Sequence, residues 1–311
     1  MEQKMAEMME EERTKMTYDQ AAEFIRQYIE TAGKKQSQVA QELGISPGAL
    51  SSFLSGTYKA PHTIIIRIED LAAINTQKNV APTAPAFKDT SISKTVSQAI
   101  RYSHLQGKIS VVYGDAGVGK TVAYRNYLEN NTLAIGITIS PTYASITGVN
   151  ELIAEQLGVR ERVARKQTAE IINKLRGSGR VLIIDEAQHL NARALDHLRC
   201  ISDESGIGIC FIGNHQVYRK LLGSQEADFA QMFSRLGMRK QVLVGNISKN
   251  DVQTVFGEMV PEQDAIEILY RICRTNYGLR GAVNVFINTA AVFEQITASG
   301  LTKMMREMNI G

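Results

Sequence analysis

Residues 109–121 read ISVVYGDAGVGKT, an apolar run that passes into a glycine-rich loop closed by lysine and threonine. From Gly114 to Thr121 the loop matches the spacing G-x-x-x-x-G-K-[ST] in full. A strand that ends in such a loop aims successive backbone N–H groups, and then the N-terminus of a helix, at one anion. The stretch therefore predicts an α/β fold whose phosphate loop binds a nucleoside triphosphate.

The loop residues have separate expected roles in holding ATP and Mg²⁺. Gly117 and Gly119 carry no Cβ, so the backbone can approach the phosphates closely. Lys120 is expected to reach the β- and γ-phosphates as a catalytic cation, and the Thr121 hydroxyl to ligate Mg²⁺. The residues assigned to nucleotide contact are Gly114, Asp115, Ala116, Gly117, Val118, Gly119, Lys120 and Thr121.

A second, acidic element, VLIIDE at residues 181–186, complements the loop. Its four aliphatic residues are typical of a strand buried on both faces of a parallel sheet. Because the carboxylates follow that strand directly, they emerge at the sheet edge where ligands bind in open α/β folds. Asp185 is predicted to hold Mg²⁺ through water, and Glu186 to polarise the water that attacks the γ-phosphate. A helix N-cap is the alternative interpretation of this pair.

Further apolar runs extend the pattern to a parallel sheet of five strands. They cover residues 133–139, 207–212 and 241–244 and are predicted to be the second, fourth and fifth strands. Asn214 follows the fourth strand closely, and an asparagine turn is one interpretation of its place there. This part of the chain is therefore predicted to be an α/β ATPase core.

Residues 36–54 carry a separate, all-α signature. A stripe of apolar residues predicts one helix at 36–43, Gly44 supplies a turn, and a second helix is predicted over 47–54. Ser46 suits the N-cap of the second helix, and proline suits the position after it. The arrangement resembles the repressor type of helix-turn-helix, in which the second helix enters the major groove. The outward residues are Gly48, Ser51 and Ser52, of which the two serines are candidate DNA contacts, while a structural or protein-docking role stays open.

A segment with two prolines and little periodicity separates the two parts of the chain. Residues 75–90, NTQKNVAPTAPAFKDT, are predicted to be an extended linker. The expected domains are a helix-turn-helix domain at 1–74, an ATPase core at 91–245 and a small C-terminal helical lid at 246–311.

The composition is that expected of a globular protein in a cytoplasm. Hydrophobic residues make up 44% and charged residues 22% of the chain, the net charge is +3, and three cysteines are widely spaced. Their odd number and wide spacing predict reduced thiols rather than a disulfide framework or a metal site. Since no apolar stretch approaches the roughly 20 residues that span a bilayer, neither membrane insertion nor secretion is expected.

Several positions resemble those of the AAA+ family of ATPases. Asn214 occupies the place of its sensor-1 residue, which implies a hydrogen bond to the γ-phosphate or the attacking water. Arg280 occupies the place of its sensor-2 residue, which reports on the γ-phosphate from the lid. Arg235 lies where this family places an arginine finger, with Arg239 as second choice, and either arginine could instead be a surface charge. Because that finger serves the nucleotide of a neighbouring subunit, the resemblance implies that hydrolysis requires assembly.

The whole layout of helix-turn-helix domain, linker, AAA+ core and short helical lid resembles the phage Mu B family of transposition ATPases. The stretches that carry the resemblance are 38–54, 113–123, 182–190, 212–218 and 233–235. The resemblance implies an ATP-dependent helical filament on double-stranded DNA with little sequence specificity. It also implies activation of a DDE-type transposase, stimulation of hydrolysis by DNA, and removal of the filament by ATP hydrolysis.

Two segments between the second and third strands are candidates for contact with DNA. Residues 159–166 carry four cations that could neutralise several phosphates, although a charge run is often only a solvated face. The loop at 140–143 offers hydroxyls suited to the DNA backbone. The residues assigned to DNA in these two segments are Arg160, Arg162, Arg165, Lys166, Thr142 and Tyr143.

Two other functions stay open at this point. A helicase loader or replication initiator of the AAA+ type would share the core and the DNA contact but act on a replicative helicase. A non-enzymatic nucleotide switch is harder to combine with Glu186 and an arginine-finger candidate, and stimulation of hydrolysis by DNA would argue against it.

Overall fold

The computed structural model describes residues 15–222 and 236–310. The chain divides into two compact units, Met1–Ala81 and Pro82–Gly311. The first unit is helical throughout its described elements, and the second combines one sheet with helices. The predicted class, an α/β ATPase core preceded by an all-α domain, is thereby confirmed.

Four helices make up the described part of the first unit: α1 (Tyr18–Thr31), α2 (Gln36–Glu42), α3 (Pro47–Leu54) and α4 (Pro61–Val80). Helices α2 and α3 form the predicted helix-turn-helix pair. Gly44 takes a φ of +64° between them, and the Ser46 hydroxyl caps α3 by accepting from the Ala49 N–H at 3.1 Å. Arg67 of α4 donates to the Leu43 and Gly44 carbonyls and so holds the turn.

The exposed face of α3 is smaller than the sequence predicts. Leu50 and Phe53 are fully buried, whereas Gly48 and Ser51 are exposed. Ser52, within α3, is half-buried, and its carbonyl accepts from the Thr57 N–H and hydroxyl after the helix. Helix α3 therefore offers only short side chains on its exposed face.

The connector after the first unit begins later than predicted, because α4 continues through Asn75 to Val80. Pro82 limits the helix, since the residue before a proline is pushed out of the α region. Ala81 accordingly has φ −61° and ψ 136°. The polar residues at 75–80 carry no apolar stripe, so the sequence pattern does not reveal their helical state.

Five parallel strands form one sheet in the second unit, in agreement with the prediction. They are β1 (Ile109–Gly114), β2 (Ala134–Thr138), β3 (Val181–Asp185), β4 (Gly208–Gly213) and β5 (Leu236–Val242). Their order across the sheet is β2-β3-β4-β1-β5. Because β4 lies between β3 and β1, the chain that leaves β4 emerges between the acidic pair and the phosphate loop.

The fifth strand differs from its prediction in both bounds. It starts at Leu236 rather than Gln241 and ends at Val242 rather than Val244. Only its two terminal residues are buried, because β5 is an edge strand. Its middle includes Arg239 and Lys240, and this polar stretch hides the strand from a search for apolar runs.

Helices cover both faces of the sheet, because successive strand residues point to opposite faces. Val112 packs in one cluster with α5 (Ser91–Gln106) and α6 (Lys120–Glu129), and Val111 packs in another. The second cluster includes α7 (Ile146–Leu157), α8 (Ala164–Leu175), α9 (Ala192–Ser205) and α10 (His215–Leu222). The first cluster continues into the predicted lid, which consists of α11 (Lys249–Phe256), α12 (Gln263–Cys273), α13 (Gly278–Val292) and α14 (Ala298–Glu307).

Two further observations bear on the sequence predictions. Among the described helices, none combines the length and the apolar character that crossing a membrane requires. The cysteines are free thiols: Cys200 is half-buried, and burial raises the pKa of both Cys210 and Cys273 to about 12.

Candidate nucleotide site and nucleic-acid interface

The loop between β1 and α6 has the backbone geometry of a phosphate cradle. Gly114 and Gly117 take φ values of +147° and +74°. A Cβ on Gly114 would lie 1.7 Å from the Val242 carbonyl oxygen, and one on Gly117 would lie 2.5 Å from the Tyr277 carbonyl oxygen. Glycine is therefore needed at both positions. Helix α6 starts at Lys120 without a side-chain cap, so its first N–H groups are available to an anion.

Lys120 and Thr121 stand at the base of this cradle. The Lys120 ammonium donates to the Gly114 carbonyl at 3.1 Å and to the Asp115 carbonyl at 2.5 Å. Burial lowers the pKa of Lys120, and the charges of Asp185 and Glu186 oppose that shift. The lysine therefore lies in a partly dehydrated position, where its attraction to an anion is strengthened.

The Thr121 hydroxyl donates to the Asp185 carboxylate at 2.9 Å. Asp185 is only 2% exposed; burial raises its pKa, and the hydrogen bond from Thr121 opposes the rise. A hydroxyl oxygen beside a carboxylate is a donor set that suits Mg²⁺, which usually keeps several waters and takes few protein ligands. The two residues thus fit the metal predicted for them.

Glu186 follows β3 in an unusual backbone conformation, with φ +55°. Its carboxylate accepts a hydrogen bond from the Gln188 amide, whose oxygen accepts from the Asn214 N–H at 3.3 Å. Gly213 makes room for this link, because a Cβ there would lie 2.4 Å from the Gln188 amide oxygen. Gln188 thus joins Glu186 to the end of β4. This role was not predicted from the sequence, and the only signal for it there is that Gln188 lies two residues after the acidic pair.

Asn214 lies at the end of β4, between the phosphate loop and the acidic pair. Its side-chain oxygen accepts from the Gln216 N–H at 2.8 Å, at the start of α10. The side-chain oxygen of Asn214 is therefore oriented as in an asparagine turn, which is the alternative considered for this residue. This bond leaves the predicted contact with the γ-phosphate to the amide NH₂ group.

The two arginine-finger candidates differ in what the structure reveals. Arg235 lies outside the described residues. Arg239 lies on β5, opposite Val111 of β1. Burial raises the pKa of Tyr113, and the positive charge of Arg239 opposes that rise. Arg239 therefore belongs to the edge strand of its own sheet.

The lid touches the phosphate loop through the start of α13. The Arg280 N–H donates to the Gly117 carbonyl at 2.9 Å. The charge of the Arg280 side chain contributes to the lowered pKa of Lys120, after the larger effect of burial. Arg280 thus lies close to the lysine, as its proposed sensor-2 role requires.

A pocket of about 280 Å³ opens beside the phosphate loop. One side of it is formed by Glu186 and by loop residues, which are Ala116, Gly117, Gly119, Lys120, Thr121 and Val122. The other side is formed by residues 84–90, here called the strap, and by the lid residues Val255, Leu279, Arg280 and Val283. Sequence reasoning placed the strap in a linker and missed its contact with the pocket, because PTAPAFKDT carries no phosphate-binding or catalytic pattern.

The predicted DNA-contacting segments lie around α7 and α8, which run side by side in the same direction. Asn150, early in α7, donates to the Thr168 hydroxyl, early in α8, at 2.8 Å. Lys174, late in α8, donates to the Leu157 carbonyl at the end of α7 at 3.0 Å. The loop at 140–143 precedes α7 directly, so this loop and the start of α8 lie at one end of the helix pair.

This geometry groups most, but not all, of the candidate DNA residues. The first turn of α8 carries Arg165 and Lys166, and Arg162 precedes it closely. Arg160 stays near the other end of α7, since the neighbouring Val159 N–H bonds to the Ala154 carbonyl. All four cations and Thr142 are exposed, and Tyr143 is half-buried. Within the described residues, none of these cations forms an ion pair.

Comparison with known proteins places these features in a family. An AAA domain model matches residues 104–221. The Mu-like prophage FluMu DNA transposition protein B of Haemophilus influenzae is 30% identical in an alignment of length 267 that covers 82% of this chain and 91% of that protein. The ATP-dependent target DNA activator B of Escherichia phage Mu is 29% identical in an alignment of length 299 that covers 92% of this chain and 94% of that protein.

Among solved structures, Cdc6p from Pyrobaculum aerophilum superposes with a TM-score of 0.52 and 16% identity, covering 70% of this chain and 66% of that chain. At this identity the likeness concerns the fold alone. The sequence relationship to the transposition proteins covers so much of the chain that it extends over both compact units. The chain therefore belongs to the phage Mu B family of transposition proteins, which are nucleotide-binding ATPases with an AAA+ core.

Proposed function

We propose that this protein binds Mg²⁺-ATP, assembles on double-stranded target DNA, and delivers that DNA to a transposase, which it activates. The observation that carries the proposal is the convergence of the phosphate loop, the Thr121–Asp185 pair and Glu186 at one edge of the sheet. A supporting fact is that relatives at about 30% identity are named as a DNA transposition protein and a target DNA activator.

The arrangement suits hydrolysis of the terminal phosphate. The loop N–H groups and Lys120 would bind the triphosphate, with the ammonium turning from the loop carbonyls to the phosphate oxygens. Thr121 and Asp185 would hold Mg²⁺, which would neutralise charge on the phosphates. Glu186 would accept a hydrogen bond from the attacking water and orient it. Gln188 restrains this carboxylate from the side.

Assembly is proposed to complete the site. The side-chain NH₂ of Asn214 and the guanidinium of Arg280 would sense the γ-phosphate from within the same chain. Arg235 would reach the nucleotide of a neighbouring subunit and stabilise the charge that develops in the transition state. ATP hydrolysis would then depend on the oligomer, and its completion would release the protein from DNA.

DNA is proposed to lie against the shared end of α7 and α8. There Arg162, Arg165 and Lys166 are exposed, and the loop carrying Thr142 and Tyr143 adjoins them. Such contacts neutralise phosphates without reading bases. The exposed residues of helix α3 are Pro47, Gly48 and Ser51, and none of them offers the bidentate hydrogen bonds that discriminate base pairs. We therefore assign the helix-turn-helix domain, including Ser52, an auxiliary part in DNA binding.

Replacement of Arg235 tests catalysis between subunits. An Arg235→Ala protein should bind ATP normally but lose DNA-stimulated hydrolysis by about 10³-fold, the usual effect of removing an arginine finger. Mixing it with a Lys120→Ala protein should restore part of the activity, because each subunit supplies what the other lacks. Phosphate release across mixing ratios gives the answer. Absence of recovery in co-assembled mixtures would exclude Arg235 as a finger in trans.

Electron microscopy with duplex DNA tests the proposed assembly. With ATP the protein should form continuous helical oligomers on DNA of any sequence, and without ATP these should be absent. The Lys120→Ala protein serves as the control that cannot respond to nucleotide. Only short, isolated complexes with ATP would contradict the filament, and ATP-dependent capture of a replicative helicase instead of a transposase would favour the helicase-loader alternative.

A further inference from the structure

A buried carboxylate joins the strap to the lid beside the pocket. Asp251 lies in the first turn of α11 and is 5% exposed. Its carboxylate accepts from the Ser91 N–H at 2.6 Å and the Ser91 hydroxyl at 2.7 Å. It also accepts from the Ser248 N–H and the Ser248 hydroxyl, both at 2.8 Å. Four donors from two separate segments thus converge on one side chain.

The two segments are the N-termini of two helices. Ser91 is the first residue of α5, and Ser248 is the N-cap of α11. Helix N-termini carry partial positive charge, so both stabilise an anion placed between them. Burial alone would raise the pKa of Asp251, but the hydrogen bonds from Ser91 and Ser248 outweigh it and lower the pKa. The carboxylate is therefore ionised at neutral pH, and its hydrogen bonds are of the strong, charge-assisted kind.

Both helices lead directly to walls of the pocket. Thr90, which precedes Ser91, lines the pocket at the end of the strap. Val255 lies one turn after Asp251 on α11, hence on the same helix face, and lines the pocket as well. The carboxylate thus connects two parts of the pocket wall, the end of the strap and α11.

The chemistry of this wall differs from that of the phosphate loop. Pro85 and Phe87 of the strap, with Val255 and Val283 of the lid, are apolar. Surfaces of this kind suit the flat face of a base. The ammonium of Lys120 and the free N–H groups of α6 instead suit phosphate.

We propose that Asp251 is a positioning residue that holds the strap against α11 and so shapes the part of the pocket that receives the nucleoside of ATP. The proposal rests on the nucleotide site described under the proposed function. It goes further because it assigns affinity for the nucleoside to Asp251, which is neither a phosphate-binding residue nor a catalytic one.

The test compares ATP with inorganic tripolyphosphate, which lacks the nucleoside. In the full-length Asp251→Asn protein the side chain keeps its shape, but an NH₂ group faces the serine donors. Its Kd for ATP should rise about tenfold, since a charge-assisted network is broken. Its Kd for tripolyphosphate should stay within about twofold, and kcat at saturating ATP should be unchanged while KM rises.

Two further variants keep the test decisive. Ser91→Ala removes only one hydroxyl donor, so it should fold even if Asp251→Asn does not, and the Kd for ATP should rise about threefold. Glu258→Gln is the matched control. It breaks the exposed ion pair between Lys88 of the strap and Glu258, whose charged atoms lie 2.7 Å apart. Exposed ion pairs contribute little to stability, so the Kd for ATP should stay unchanged.

The outcomes distinguish the positioning role from the nucleotide site itself. Unchanged ATP affinity in both Asp251→Asn and Ser91→Ala would overturn the positioning role. Equal weakening of ATP and tripolyphosphate would also overturn it, since the residue would then support the fold in general. If Lys120→Ala leaves the binding of both probes intact, the proposed nucleotide site itself fails, whatever the result for Asp251.

Discussion

Glu186→Gln should retain ATP binding and lose hydrolysis by at least about 10²-fold, because positioned general bases commonly contribute 10²- to 10⁴-fold. The substitution removes the charge that polarises water but leaves the Thr121–Asp185 pair intact. Any ATP-dependent assembly on DNA should therefore become long-lived. Steady-state phosphate release and the lifetime of the DNA complex measure the two effects, and unchanged turnover would refute the role of Glu186.

Lys120→Ala is expected to behave differently from Glu186→Gln. It removes the cation at the base of the cradle, so nucleotide binding and assembly should be lost together. Lys108 provides a matched control: it is exposed and lies just before β1, at the opposite end of the strand from the loop. Lys108→Ala should bind and hydrolyse ATP normally. Loss of binding in both variants would indicate a general effect of removing charge near β1.

The second large effect concerns DNA. Joint replacement of Arg162, Arg165 and Lys166 by alanine should weaken ATP-dependent binding on every DNA sequence, because these cations cluster at one end of α7 and α8. For each phosphate that is no longer neutralised, the slope of log K against log salt concentration should become shallower by about 0.9. Fluorescence anisotropy at several salt concentrations measures both affinity and slope.

Arg160 is the matched control for this triple replacement. It belongs to the same charged segment and is equally exposed, but it stays near the other end of α7. Arg160→Ala should therefore change the slope less than any single replacement in the cluster. An effect of Arg160→Ala as large as that of the triple replacement would contradict the proposed DNA face.

Truncation separates the contributions of the two compact units. A chain that begins at Pro82 retains the strap and should still bind duplex DNA when ATP is present. A chain that begins at Asp89 lacks most of the strap, so it should lose nucleotide affinity for a reason unrelated to DNA. If the longer chain loses DNA binding while the triple replacement binds normally, the helix-turn-helix domain is the principal DNA reader.

The sequence alone determined those features that depend on local backbone chemistry. The phosphate loop, the buried strand before Asp185 and the turn at Gly44 each follow from residues that are adjacent along the chain. Such patterns predicted the fold class, four of the five strands within two residues of their bounds, and the helix-turn-helix pair. The edge strand β5 and the start of the linker after α4 were mislocated because their residues are mostly polar and carry no apolar period.

Only the tertiary structure decided which distant residues meet. Gln188 reaches both Glu186 and the end of β4 because β3 and β4 are neighbours in the sheet. The start of α5, directly after the strap, meets the lid because Ser91 donates two hydrogen bonds to Asp251. These contacts join residues far apart in sequence, and no local pattern encodes them. The separation of Arg160 from Arg165 has the same physical reason, since the parallel course of α7 and α8 is set by packing rather than by the order of charges along the chain.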